Sequence, residues 1–241
     1  MEGMDPFKAP VPEFEQDSYD LAMKKCRENV CGTYDTNWGC SPGARRDVPR
    51  FYAENDFVLV ITRAAVIDWH DKQALDGFMK EMQQRTREAM LELRGMGYGC
   101  SGFVDGPCTY CDKCTYPEPC RFPEMLLPSV STLGIDLKKY FDSIGRDFSF
   151  EEGKVTLYGF LFVKESGDNP DARTFARDPS RLSINRDCPD PCFGNNRCCL
   201  SRHYPRWRAL WSPSRTCRPG TEVPRTRSPS IRTGANAPWS H

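Results

Sequence analysis

The sequence predicts a mixed α/β or α+β domain on a small sheet of about three strands, with flanking helices and cysteine-rich loops. A tail of different character follows it. Three observations carry this expectation. Asp56–Ala65 and Lys154–Lys164 are apolar runs rich in β-branched and aromatic residues, the pattern of strands buried on both faces. Between them, Leu75, Phe78, Met79, Met82, Ala89, Met90 and Leu93 form one broad stripe over Asp71–Arg94, the spacing of a long amphipathic helix. Seven cysteines gather in two turn-rich stretches, one on either side of the first strand and helix.

In chain order, residues 1–16 carry three prolines and no period, and read as a mobile lead-in. A domain is expected over 17–166. It opens on a short helix, Tyr19–Glu28, that delivers Cys26. The run C-G-T-Y-D-T-N-W-G-C-S-P-G from Cys31 is rich in turn formers and reads as a loop. After the strand and the long helix, which Gly95 and Gly97 end, Tyr98–Val104 reads as a second strand. It runs through Gly106-Pro107 into the second cysteine stretch. Pro128-Ser129 can start a helical turn, and Ile135–Ile144 reads as a short helix. The last strand, Lys154–Lys164, is bounded by Gly153 and Gly167.

The overall charge balance, 33 basic against 33 acidic residues, hides a division. Residues 167–241 contain 13 Arg, no Lys and 6 acidic residues, a net of +7, while the first 166 hold 20 basic and 27 acidic ones. The acidic body argues against nucleic-acid binding, which needs a basic footprint. The tail also holds ten of the 20 prolines and shows no hydrophobic period. It reads either as a disordered Arg/Pro/Ser-rich extension or as a frameshifted stretch beginning near residues 169–178. Cys188, Cys192, Cys198, Cys199 and Cys217 therefore carry no functional expectation. No run is apolar and long enough to span a bilayer, and M-E-G-M-D-P-F-K lacks the features of a secretory signal. A cytoplasmic, reducing setting is expected, where clustered cysteines are ligands rather than disulfides.

Cys108, Cys111, Cys114 and Cys120 form a C-x2-C-x2-C-x5-C array. A C-x2-C step turns both thiolates towards one point, which suits iron–sulfur clusters and zinc. The first three cysteines share the spacing of the bacterial ferredoxin run. The fourth comes after five residues rather than three, with Arg121 where that run has Pro. This dense array favours an iron–sulfur cluster of the 4Fe–4S type over zinc, which more often uses two separated hairpins. Cys100, on the second strand, reads as a core residue. No C-x3-C-x2-C triad, Gly-rich phosphate loop or H-E-x-x-H is present.

C-G-T-Y-D-T-N-W-G-C-S-P at 31–42, G-P-C-T-Y-C-D-K-C at 106–114, and P-C-R-F-P-E with P-S-V-S-T-L-G-I-D up to 136 resemble a family of unknown function. Its members are described as predicted metal-binding proteins and occur largely in anaerobic bacteria and archaea. The resemblance runs from about Tyr19 to Val163 and implies Cys26, Cys31, Cys40, Cys108, Cys111, Cys114 and Cys120 as metal ligands, with Arg121 and Pro123 in the same motif. Where this chain has Asp35, members of the family tend to have Gly. The resemblance supplies no reaction.

Tyr34, Trp38, Tyr110 and Tyr116 are candidates for an apolar shell around the metal or for plain core aromatics. Arg121 is a candidate to face an anionic cluster or an acidic substrate. His70 reads as a cap or surface residue. The function expected is an iron–sulfur protein that transfers electrons or serves a redox partner protein. A structural zinc module for protein interaction, or a metalloenzyme with an open metal site, are the alternatives.

Overall fold

A computed structural model describes residues 6–165, except 69, 149, 150 and 152. The reading of residues 167–241 lies outside the described residues. Four strands, β1 (Phe7–Ala9), β2 (Phe57–Val66), β3 (Gly99–Val104) and β4 (Lys154–Lys164), form one sheet in the order β1-β2-β4-β3. Every neighbouring pair is antiparallel; β2 and β4 run in register from Phe57 opposite Val163 to Val66 opposite Lys154. Because β4 lies antiparallel between them, β2 and β3 are parallel. With helix α3 (Lys72–Gly95) they make a split β-α-β unit. The fold is thus of the mixed class expected, with one strand more. That strand, β1, comes from within the stretch read as a lead-in; its three residues are too few to show a period.

Alternation along the strands gives the sheet two buried faces. Phe57, Leu59 and Ile61 of β2 and Leu157, Leu161 and Val163 of β4 pack against Phe78, Met82, Met90 and Leu93 of α3. Their neighbours Val58, Val60, Tyr158, Phe160 and Phe162 meet the other layer. That layer contains α2 (Val48–Ala53), a 3-10 turn at Val130–Leu133, and α4 (Leu137–Ser143). Tyr52 stacks on Phe162 at 5.7 Å, and Phe141 meets Tyr158 at 5.1 Å. Helix α1 (Gln16–Glu28) packs on the 3-10 turn.

Local chemistry sets the helix starts. Asp47, Asp71 and Asp136 each accept a backbone N–H of the first turn of α2, α3 and α4, satisfying donors that have no partner within the helix. α3 lies close against the sheet because two glycines face it. A Cβ at Gly159 would overlap Thr86 Oγ1, and one at Gly102 would run into Leu127 and Met90. At the end of β3, the Asp105 carboxylate accepts the N–H of Tyr158 at 2.7 Å. It closes the β3–β4 ladder where the chain departs into the cysteine loop. The outer edge of β3 is covered as well: Val104 N–H donates to Pro128 O at 3.0 Å, and Ser129 pairs with Val104.

Two predictions follow from this packing. Gly159→Ala should lower the unfolding free energy by about 1–3 kcal/mol through overpacking. Gly77→Ala, on the exposed side of α3 with nothing near its Cβ, should raise it by about 0.5–1 kcal/mol. Urea unfolding measures both, and equal effects would contradict the close helix–sheet contact.

Burial pushes the Asp105 carboxyl from the ordinary 3.8 up to about 6, with the Tyr158 N–H pulling it back. The folded state then holds the extra proton across that window, so its stability falls as pH rises through it and stays reduced above. Relative to Asp105→Asn, which keeps an acceptor for Tyr158, the wild type should lose about 2–3 kcal/mol between pH 4 and pH 7. A constant difference between the two proteins across that range would refute this titration.

Candidate metal centre

The second cysteine stretch leaves β3 and is fastened to α3 by buried polar side chains. Gln83, 1% exposed, donates Nε2 to Pro107 O at 2.7 Å. Its Oε1 accepts both the N–H and the hydroxyl of Thr109, each at 2.9 Å. One turn on, Arg87 Nε donates to Met125 O at 2.9 Å. Arg94 donates to Cys100 O at 2.9 Å and to Glu124 O at 2.7 Å. The start and the end of the cysteine loop are thereby tied to one helix.

Between these anchors the four thiols of Cys108, Cys111, Cys114 and Cys120 line a single cleft of about 290 Å³, counting the part open to solvent. Asn37, Trp38, Tyr110, Phe122 and Leu126 complete its walls. Tyr110 meets Phe122 edge to face at 5.3 Å. Burial pushes the Cys120 thiol up, the Phe122 N–H opposes this, and the thiols of Cys108, Cys111 and Cys114 push in the same direction as burial. Among the described residues no three cysteine, histidine or carboxylate side chains are already arranged as a single-ion site, in this cleft or beside it.

The first loop supplies the opposite wall. Asn37 Nδ2 donates to Cys108 O at 3.1 Å, and Asn37 Oδ1 accepts Gly39 N–H at 2.7 Å. Trp38 N–H points at Cys114 Sγ at 3.5 Å, while its indole N–H donates to Glu118 O at 2.7 Å. Tyr116 packs edge to face on Trp38 at 5.0 Å and donates its hydroxyl to Asp35 at 2.5 Å. Asp35 has φ 58°, a left-handed conformation that favours Gly and that Asp tolerates. Ser129 N–H donates to Gly39 O at 2.7 Å, tying this loop to the covered edge of β3.

Cys26, Cys31 and Cys40 form a second group outside the cleft. Thr33 Oγ1 lies 3.1 Å from Cys31 Sγ and 3.4 Å from Cys40 Sγ; Cys26 Sγ lies 3.9 Å from Ser131 Oγ. The Thr33 hydroxyl and N–H hold the Cys31 thiol below its usual range. Burial pushes Cys40 up, Thr33 opposes it, and Cys31, Cys26 and Cys108 add to the rise. The two groups meet where a Cβ on Gly39 would come within 2.8 Å of Cys108. Thus the structure brings four of the seven candidate ligands into one cleft and the other three beside it.

Arg121 is exposed and donates Nη2 to Lys113 O at 2.7 Å, bracing the array from outside. Trp38 and Tyr110 line the cleft, and Tyr116 supports Trp38 from behind. Cys100 is a core residue on the α3 face, its thiol pushed up to about 12 by burial. His70 is exposed at the entry to α3, with its N–H on Asp68. Sequence reasoning missed Gln83 and Arg87. The available signal was their position: spaced i, i+4, they fall in line with Met79 and Met90 rather than on the polar side of α3.

No helix among the described residues is long and apolar enough to cross a membrane. No curated protein and no solved structure matches the chain. A family model does match, over residues 18–163, covering both cysteine loops and strands β2 and β3 with nearly all of β4. The chain belongs to the family described as Predicted metal-binding protein (DUF2284).

Proposed function

We propose that the chain is an iron–sulfur protein, with a cluster of the 4Fe–4S type held by Cys108, Cys111, Cys114 and Cys120, acting in electron transfer or as a redox accessory to a partner protein in a reducing cytoplasm. One observation supports this reading: Cys108, Cys111, Cys114 and Cys120 line one aromatic-walled cleft. Their C-x2-C-x2-C run has the dense spacing by which ferredoxins give the irons of a 4Fe–4S cluster their thiolates, whereas structural zinc more often uses two separated hairpins.

When bound, such a cluster supplies single-electron transfer. The residues of the chain provide its setting. Trp38, Tyr110, Phe122 and Leu126 give the half-buried cysteines apolar walls, and the Trp38 N–H is placed to donate to Cys114 sulfur. Both features tune a cluster's potential. Arg121, braced on the surface of the array, is positioned to meet an acidic partner or substrate.

A second reading has its own observation. Cys26, Cys31 and Cys40 offer three thiols with the hydroxyls of Thr33 and Ser131 beside them. Three protein ligands with a free position mark a catalytic rather than a structural metal. A metalloenzyme site there would lie next to the cluster, and the three thiols, not already arranged around one ion, would have to close on the metal.

Protein prepared without oxygen should contain iron and acid-labile sulfide and show visible absorption that dithionite bleaches. Single Ser substitutions at Cys108, Cys111, Cys114 or Cys120 should each abolish that absorption, and those at Cys26, Cys31 or Cys40 should leave it. Colourless protein with stoichiometric zinc would replace this reading by the structural zinc module. Loss of absorption in all seven variants would mean one composite site.

A further inference from the structure

Arg87 is the most deeply placed cation near the cleft, with 7% of its surface exposed. Its Nε is used by Met125 O. The guanidinium lies 4.9 Å from the ring centroid of Tyr110, a wall of the cleft, and its other polar neighbours are the Cys108 side chain and, further off, Cys111. Nη2 is buried without a hydrogen-bond partner. Among the described residues no carboxylate forms an ion pair with it. A buried arginine is ordinarily paired, because removing a charge from water is costly unless an opposite charge or full hydrogen bonding offsets it. Here the groups that face it are thiols that carry no charge until they ionise.

We propose that Arg87 is the buried counter-cation of the four-cysteine site, supplying from α3 the positive charge that an anionic metal–thiolate centre requires. This rests on the metal reading above but not on the identity of the metal. Four thiolates outweigh the charge of a zinc ion or of an oxidised 4Fe–4S core, so the loaded site is anionic in either case. Arg87 acts through the ligands, and is a positioning residue. Its planar fork keeps one nitrogen on the Met125 carbonyl while the rest of the group faces sulfur, an arrangement that Lys cannot reproduce in full.

The test compares wild type, Arg87→Lys and Arg87→Met, each as purified with its metal and after metal removal by a chelator. Metal content of the wild type tests the metal reading alone. Arg87→Met should lose metal to the chelator about 10–100-fold more readily than wild type, and Arg87→Lys should fall between. The melting temperature should drop more for Arg87→Met in the loaded than in the metal-free protein, because only the loaded form has a centre for the charge to balance. If the metal is a redox cluster, its midpoint potential should also move to lower values in Arg87→Met and less so in Arg87→Lys. Equal drops in melting temperature in both states, with metal retention unchanged, would reduce Arg87 to a brace for residue 125 and overturn the proposal. A wild type that takes up no metal would overturn it together with the metal reading, by a different readout.

Discussion

Both ends of the Gln83 amide are engaged by the loop that carries the cysteines: the nitrogen donates to the carbonyl of Pro107 and the oxygen accepts two donors of Thr109. Those residues flank Cys108, so the first cysteine of the array is held from both sides by a side chain buried in the long helix. Each such bond contributes about 1 kcal/mol net, but losing a partner would leave a buried polar group unmet at about 1–3 kcal/mol. The loop therefore cannot move off α3 without breaking several bonds at once. The depth of α3 is set in turn by Gly102 and Gly159, which let the helix approach the sheet. Sheet, glycines, helix, glutamine and thiol form one mechanical chain.

The opposite wall is built on different chemistry. Loop one is fixed by one backbone bond and two side-chain donors that end on backbone carbonyls: Ser129 to Gly39, Asn37 to Cys108, Trp38 to Glu118. Ser129 is itself adjacent to the covered edge of β3. The same strand that launches the array thus anchors the segment that holds the facing loop. This explains how thiols separated by about 70 residues of chain, Cys40 and Cys108, come to lie across one glycine. It also explains why the aromatic side chains of this loop turn inward: with its backbone tied down, Trp38 has its indole N–H satisfied and its ring free to wall the cleft.

Much of this was legible in the sequence. The β2 and β4 runs are largely apolar over ten residues, α3 keeps its stripe for six turns, and the cysteines of C-x2-C-x2-C do line one cleft. Strand β1 and helix α2 were not legible, since three and six residues are too few to reveal a period and their stability comes from packing on β2 and Phe162. The capping Asp47 and the proline at 49 were the only local signs of α2. Gln83 and Arg87 were hidden for another reason. A polar residue in an amphipathic helix is normally counted to the solvated side, and only the partner loop, far away in sequence, shows that these two face inward.

Three arginines on the α3 face of the sheet show how the choice of partner separates structure from function. Arg63 forms an ion pair with Glu81 and lies over the Phe78 ring. Arg94 spends its donors on two backbone carbonyls. The charge of Arg63 is balanced by a carboxylate and Arg94 is held by carbonyls, groups that are present whether or not anything binds. Arg87 meets one carbonyl and, beyond it, sulfur. Its burial pulls the guanidinium's pKa down, while the thiols near it pull it back up; burial likewise opposes ionisation of Cys120. Desolvation thus opposes each of these charges taken singly. In the metal reading proposed above, the thiolates would form an anionic centre, and the same burial would strengthen its attraction for the guanidinium because a drier site screens less. That is what sets Arg87 apart from Arg63 and Arg94: the partner that would balance its charge is one that binding would supply.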